Sequence, residues 1–85
     1  MAIISEKILG KKINVVLDSS NLKEATYHTD SKTLLVEFKN GVEYEYSDVP
    51  WDVFTKFRMA DSQGSFFNKN IGRVFEYKKI EEDEN

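Results

Sequence analysis

An Asn-Gly pair, Asn40-Gly41, constrains the fold of this chain more than any other feature. Apolar and polar residues alternate on both sides of the pair, and the apolar ones are Leu34, Val36 and Phe38 before it and Val42, Tyr44 and Tyr46 after it. Alternation with period two is typical of strands that bury one face. Asn-Gly between two such strands is a strong β-hairpin signal.

The faces of the two strands determine the length of the loop between them. With a two-residue turn, Phe38 would lie opposite Glu43, and the apolar residues of the two strands would point to opposite faces. With a three-residue loop, residues 39–41, Phe38 pairs with Val42 and all the apolar residues share one face. A one-residue slip inverts the faces of a strand, so we predict the three-residue loop, with Gly41 in the left-handed conformation.

The region before the hairpin contains two more β-favouring segments. Residues 1–18 are an N-terminal extension in which Ile13–Leu17 is apolar, and this segment is either an added edge strand or a docking segment for another subunit. A polar turn is predicted at residues 18–21 and a strand over residues 22–27. A polar loop, residues 28–32, leads into the hairpin.

The region after the hairpin is predicted to be mainly helical. Pro50 suits the first helical turn, and apolar residues then recur at helical spacing, at Val53, Phe54, Phe57 and Ala60. Gly64 is predicted as the left-handed cap of this helix. A short second helix over residues 65–71 and a strand over residues 73–80 complete an α+β fold, a small antiparallel sheet with both helices on one face.

Composition narrows the class of protein. Hydrophobic residues make up 40% of the 85-residue chain and aromatics 13%, enough for the core of one domain without a metal or disulfide. The chain has no Cys, which excludes a disulfide framework and a thiolate zinc site. No apolar run approaches the roughly 20 residues that cross a bilayer, and the N-terminal residues are a poor match to a secretory signal. We therefore expect a cytoplasmic protein.

Charge is concentrated at the C-terminus. The formal net charge is −3, and residues 81–85 alone contain four acidic side chains. This tail is predicted to be disordered, and the remainder of the chain is close to neutral. Because proteins that bind duplex DNA usually present a basic stripe, duplex DNA is not an expected partner.

Catalytic and metal-binding patterns are weak. His28 is the one histidine, and a triad with Ser19, Ser20 or Ser62 has no nucleophile elbow to support it. Apart from the acidic tail, no cluster of metal-ligating residue types occurs in the sequence. We predict a non-enzymatic protein with no catalytic residue, no metal and no cofactor.

Four stretches of the chain resemble the KTSC domain family, which is named for its occurrence at the C-terminus of some lysyl-tRNA synthetases and is also found as stand-alone small proteins. The stretches are Ser19–Leu22 with Tyr27 following, Leu34–Gly41, Tyr44–Tyr46 leading to Val49-Pro50, and Ala60–Ile71. The resemblance covers residues 19–80, which we take as the domain. It implies RNA binding, because of the synthetase context.

This chain departs from the family pattern in two places. A basic residue commonly follows the position of Ile71, whereas here Gly72 follows it and Arg73 comes one residue later. Glu43 and Glu45 flank the tyrosines, where a nucleic-acid surface would favour Lys or Arg. Both departures weaken the RNA interpretation for this member.

A candidate ligand site lies between the two predicted helices. A Gly-containing turn that leads into a helix can present backbone N–H groups to an anion. The residues proposed for this edge are Ser62, Gly64, Ser65, Asn68, Lys69 and Arg73. Lys69 and Arg73 lie four apart and would reach one phosphate if the helix continued to residue 73. The structural alternative is that Ser62 caps the helix and Gly64 only permits a turn.

Three aromatic residues are further candidates. Tyr44 and Tyr46 could stack on bases, as aromatics on sheets do in RNA readers, or belong to the core, which the shared apolar face of the hairpin favours. Trp51 lies off the apolar stripe of its helix and is the best candidate for an exposed aromatic contact.

Two functions remain compatible with the sequence. The leading hypothesis is a small module that binds RNA or a nucleotide. The alternative is a protein-interaction or self-assembling module, for example an inhibitor or sequestering factor encoded by a bacteriophage, motivated by the neutral domain, the segment Ile13–Leu17 and the acidic tail.

Overall fold

The structure is a computed structural model and describes residues 3–80, so the predicted disorder of residues 81–85 lies outside the described part. Its elements, in chain order, are β1 (Ile3–Leu9), β2 (Lys12–Leu17), β3 (Leu22–His28), β4 (Thr33–Phe38), β5 (Glu43–Tyr46), α1 (Trp51–Met59), α2 (Gln63–Asn70) and β6 (Tyr77–Ile80). Within residues 3–80, no helix is long and apolar enough to cross a membrane. The cytoplasmic location stays a prediction.

All six strands form one antiparallel sheet in the order β1-β2-β3-β4-β5-β6. Each strand pairs with its neighbour in sequence, and both helices lie in the connection between β5 and β6. The helices pack on one face of the sheet, where the buried side chains collect. The predicted α+β class is therefore confirmed.

The central hairpin has the predicted register. Leu34 pairs with Tyr46 and Val36 with Tyr44, which places Phe38 opposite Val42. The Phe38 backbone N–H donates to the Val42 carbonyl at 2.8 Å. Gly41 has φ 93°, in the left-handed region that glycine tolerates best. Matching the apolar faces was thus sufficient to identify the three-residue loop.

The N-terminal segment is part of the sheet. β1 and β2 form a hairpin in which Leu9 pairs with Lys12. β2 also pairs with β3, and its side chains Ile13, Val15 and Leu17 are at most 5% exposed. Residues 12–17 therefore contribute directly to the core of the described chain.

Three local predictions after the hairpin are wrong. Pro50 is the N-cap of α1 rather than a residue of its first turn. Gly64 does not cap α1, because α1 ends at Met59 with Ala60 as its C-cap, and Gly64 is the second residue of α2. The last strand begins at Tyr77 rather than at residue 73, because a turn intervenes in which the Phe75 N–H donates to the Ile71 carbonyl.

The core is built from aromatic rings between the sheet and the helices. Tyr27 stacks on Phe54 with ring centroids 4.4 Å apart, and its hydroxyl donates to the Val49 carbonyl at 2.6 Å. This buried bond ties the middle of the sheet to the segment that starts α1. Phe57 and Phe67 close the core from the two helices, with ring centroids 6.4 Å apart.

The opposite side of the sheet, which we call the open face, is covered by neither helix. Three glutamates lie side by side on it, because Glu24 pairs with Glu37 and Glu37 pairs with Glu43. Burial, a hydrogen bond with Glu24 and the neighbouring carboxylates raise the pKa of Glu37 above its ordinary 4.5, and Lys23, 3.6 Å away, opposes them. Like charges placed directly opposite each other destabilise a sheet.

We expect Glu37→Gln to raise the free energy of unfolding at pH 7 by about 0.5 kcal/mol, because it removes this repulsion. A raised pKa in the folded state means that the native carboxyl contributes stability when protonated, below pH 4.5, and loses that contribution as the pH rises through its folded pKa. The gain from the substitution should therefore shrink between pH 7 and pH 4 in urea titrations. Glu45→Gln is the control, since Glu45 lies 3.5 Å from Lys78 and should give no gain.

Candidate functional site

A polar cleft of about 440 Å³ lies where the β2–β3 turn meets the N-terminal end of α2. Two segments and one further side chain line it: residues 18–21, residues 61–65 and Asn68. We call it the α2 cleft. Four of the residues proposed from the sequence are in its lining: Ser62, Gly64, Ser65 and Asn68.

One wall of the α2 cleft is a turn organised by Ser19. Its hydroxyl accepts from the backbone N–H groups of Asn21 at 3.4 Å and Leu22 at 3.3 Å, and donates to Asn21 Oδ1 at 3.2 Å. A Cβ on Gly64 would lie 3.2 Å from both Asn21 Oδ1 and Ser19 Oγ. Glycine is thus favoured at position 64 because the turn approaches α2 closely, and not because the backbone is left-handed.

The other wall begins at the N-cap of α2. The Ser62 hydroxyl accepts from the Ser65 backbone N–H at 3.3 Å, as N-cap residues generally do. The structural alternative for Ser62 is therefore correct, and the same residue also lines the cleft.

Gln63 lines the cleft and links the start of α2 to the end of α1. It is 1% exposed, and its Nε2 donates to the carbonyls at the end of α1: Phe57 at 3.3 Å, Arg58 at 2.9 Å and Ala60 at 3.2 Å. The last carbonyls of a helix generally lack a full set of partners within it, and here the Phe57 carbonyl also accepts from the Ala60 N–H at 3.3 Å. Sequence reasoning missed Gln63. Its only local signal was a long polar side chain placed between two helices.

The electrostatics of the α2 cleft differ from those of a simple phosphate site. Asp18 and Asp61 both line it, and its lining, which lies wholly within the described chain, includes no Lys or Arg. Hydroxyl, amide and carboxylate groups can accept hydrogen bonds from a ligand, and the hydroxyls and amides can also donate. The cleft therefore suits an uncharged ligand group rich in donors better than a bare anion.

The two cations proposed for this site lie elsewhere. α2 ends at Asn70, so the condition that placed Lys69 and Arg73 on one helix face is not met. Lys69 is exposed in the last turn of α2, and Arg73 is exposed in the turn that follows. Neither belongs to the cleft lining.

The two tyrosines of the hairpin lie on the core side of the sheet. Tyr46 is 4% exposed, and its ring packs edge-on against Phe67 at 5.2 Å. Burial, followed by its neighbours Tyr77 and Tyr44, raises the pKa of Tyr46 to about 12. Tyr44 is half-buried, with its ring 5.3 Å from that of Tyr77 and 5.7 Å from that of Phe38. Tyr46 thus presents no free ring to a ligand.

Trp51 is 49% exposed at the start of α1. The Arg58 guanidinium lies 5.4 Å from its ring centroid and 2.7 Å from the Glu6 carboxylate in β1. The exposed aromatic contact predicted from the sequence therefore has accessible surface, at the opposite end of α1 from the α2 cleft.

His28 lies at the end of β3, half-buried between Lys12 and Thr33 on the neighbouring strands. Ser19 and Ser62 line the α2 cleft, at the other end of β3. Among residues 3–80, no group of three His, Asp or Glu side chains is placed to hold a metal ion.

Comparison with known proteins identifies the family. The model of the KTSC domain matches residues 18–77. The crystal structure of a KTSC domain protein from Yersinia pestis superposes with a TM-score of 0.75 at 30% identity, covering 82% of this chain and 99% of that one. The chain therefore belongs to the KTSC domain family.

Sequence relatives include much larger proteins. The chain is 36% identical over 63 residues to a lysine–tRNA ligase of Trichormus variabilis and 35% identical to that of Nostoc punctiforme, covering 74% of this chain but 11% of each ligase. It therefore spans about a tenth of the length of these relatives. An uncharacterised protein of Stutzerimonas stutzeri is 40% identical over 55 residues, which are 65% of this chain and 78% of that protein.

Proposed function

We propose that this KTSC domain is a small non-enzymatic binding module and that its α2 cleft holds a nucleotide unit, either free or within single-stranded RNA. The observation that carries the proposal is the cleft itself, with its lining of hydroxyl, amide and carboxylate groups. Its volume of about 440 Å³ falls within the range of small-ligand sites.

The lining chemistry supports recognition of sugar and base rather than of phosphate. Ribose hydroxyls and the exocyclic amino groups of bases donate hydrogen bonds, and Asp18, Asp61 and Asn68 offer acceptors. The same two carboxylates repel a phosphate placed inside the cleft. We therefore place the phosphate outside it, towards solvent.

The ligase relatives support the RNA form of the ligand. Proteins named lysine–tRNA ligase contain a segment similar to this chain, so the same kind of domain occurs beside tRNA chemistry. This association concerns the relatives, because a fold is shared more widely than a function. The cleft has to be tested directly.

The test is an NMR titration of the full chain with mononucleotides and with short single-stranded RNA. We expect backbone shifts to change in residues 18–21 and 61–68. Asn68→Ala, which removes a lining amide, should weaken binding about fivefold, corresponding to one hydrogen bond of about 1 kcal/mol. Lys69→Ala is the matched control, because Lys69 is the next residue and lies outside the lining, and it should bind like the native protein.

Two results would contradict the proposal. If neither ligand changed the spectrum at high micromolar concentration, the binding function would be wrong. If Lys69→Ala and Arg73→Ala weakened binding while Asn68→Ala did not, the ligand would be held through phosphate at the C-terminal end of α2, and the assignment to the cleft would be wrong.

A further inference from the structure

The open face contains a shallow depression with an acidic rim. Leu35 and Thr26 lie at its centre, with Glu24, Glu37 and Glu43 along one side. Its volume of about 30 Å³ admits the end of an aliphatic side chain and not an aromatic ring. Among the described residues, the one ion pair to these glutamates is that between Lys23 and Glu37.

The turn between β1 and β2 has the opposite character. Ile8 and Leu9 are 61% and 60% exposed, and exposed lysines flank them at Lys7, Lys11 and Lys12. We call residues 7–12 the hairpin tip. In the part of the chain that the structure describes, none of these lysines forms an ion pair within 4.0 Å. Asp30 is the acidic residue of the adjacent turn between β3 and β4. A hydrogen bond from the Thr29 N–H to the Lys11 carbonyl holds this turn beside the hairpin tip.

The two surfaces are complementary in both charge and apolar character. Each has a small apolar centre beside charged groups, and the charges are of opposite sign. Protein interfaces commonly combine an apolar centre with a polar rim in this way. Lys7, Leu9 and Lys12 also point to the side of the sheet that carries the glutamates, as their pairing with Asn14 and His28 across β2 and β3 shows.

Leu9 does not reach the depression of its own chain. Leu9 lies in β1 and Leu35 lies in β4, three strands away, so at about 4.8 Å per strand they are roughly 14 Å apart across the sheet. For Leu9 to enter a depression of this kind, the depression has to belong to another molecule.

We infer that the open face is an interface between copies of this chain, in which the hairpin tip of one copy docks on the acidic depression of a second. Leu9 supplies the aliphatic end that enters the depression, and Lys7 and Lys12 lie against the glutamate row. Reciprocal docking gives a closed two-fold dimer, and one-way docking gives an open chain. This inference is independent of the proposed ligand function, because none of its residues lines the α2 cleft.

The test is a charge exchange, followed by light scattering of the full chain at low salt. The native chain should associate, and association should fall in about 1 M salt, where screening is nearly complete beyond about 3 Å. Two double variants, each tested alone, should be monomeric: Lys7→Glu/Lys12→Glu and Glu37→Lys/Glu43→Lys. Mixed in equal amounts, the two variants should associate again, because the tip of each variant then meets a face of opposite charge on the other.

Lys69→Glu/Glu76→Lys is the matched control, since both residues are exposed and lie outside the two surfaces, and it should associate like the native chain. Circular dichroism verifies that each variant is folded. Leu9→Ser is a further test at an exposed position, and it should also weaken association because it removes the aliphatic end that enters the depression. A native chain that stays monomeric at high concentration overturns the inference. So do charge variants that associate like the native chain, or a mixture that stays monomeric.

Discussion

Replacing Phe57 with alanine is expected to lower the free energy of unfolding by about 3–5 kcal/mol. Phe57 is fully buried, and its ring lies 6.3 Å from that of Phe66 and 6.4 Å from that of Phe67. It therefore fills the space between α1, α2 and the sheet, and alanine would leave a cavity there. Small domains have a total stability of about 5–15 kcal/mol, so the loss is a large share of it.

Urea denaturation followed by circular dichroism measures this effect. Met59→Ala is the matched control, because Met59 belongs to the same helix and is 77% exposed, so its replacement should change stability by at most about 0.5 kcal/mol. Phe57→Leu, which keeps most of the apolar volume, should fall between the two. Equal losses for the alanine variants at positions 57 and 59 would show that α1 does not pack as described.

The hairpin was predictable from the sequence because its register depends on residues close in sequence. The side chains of β4 and β5 had to share a face, and only one loop length allows this. The wrong predictions lie where the deciding contact is between distant residues. Gly64 suggested a left-handed cap, but the reason for glycine there is the approach of Ser19 and Asn21, which are more than 40 positions away in the chain.

The part of the candidate site that depends on a local pattern was also predictable from the sequence. Ser62, Gly64, Ser65 and Asn68 were identified because a capped helix start has a local pattern. The opposite wall was predicted as a turn, but nothing local indicated that it faces α2. The grouping of Lys69 with Arg73 failed because it assumed that α2 continues past Asn70.

The start of the family match at residue 18 does not coincide with the edge of the core. Ile13, Val15 and Leu17 precede that residue and are among the buried side chains. The cleft wall at residues 18–21 is therefore anchored on one side by β2 and on the other by β3. The position of this wall thus depends on residues outside the family match.

Gln63→Glu tests how the second wall is positioned, and we expect it to lower stability at pH 7 by about 3 kcal/mol or more. The substitution keeps the size of the side chain but replaces the Nε2 donor with an oxygen, which would face the carbonyls of Phe57, Arg58 and Ala60. A buried carboxylate without a donor also bears a large desolvation cost. Gln63→Met, which removes the donor without adding a charge, should cost less, about 1–3 kcal/mol.

The pH dependence separates the two substitutions. Burial should raise the pKa of the introduced carboxyl, so its protonated form is the one compatible with folding, and the stability lost at pH 7 should be partly recovered as the pH falls through that pKa. Gln63→Met should show no such recovery, relative to the native chain, in urea titrations between pH 7 and pH 4. If Gln63→Glu were as stable as the native chain at pH 7, the packing of the start of α2 against the end of α1 would not depend on this side chain. The shape of the α2 cleft would then have to come from the turn at residues 18–21 alone.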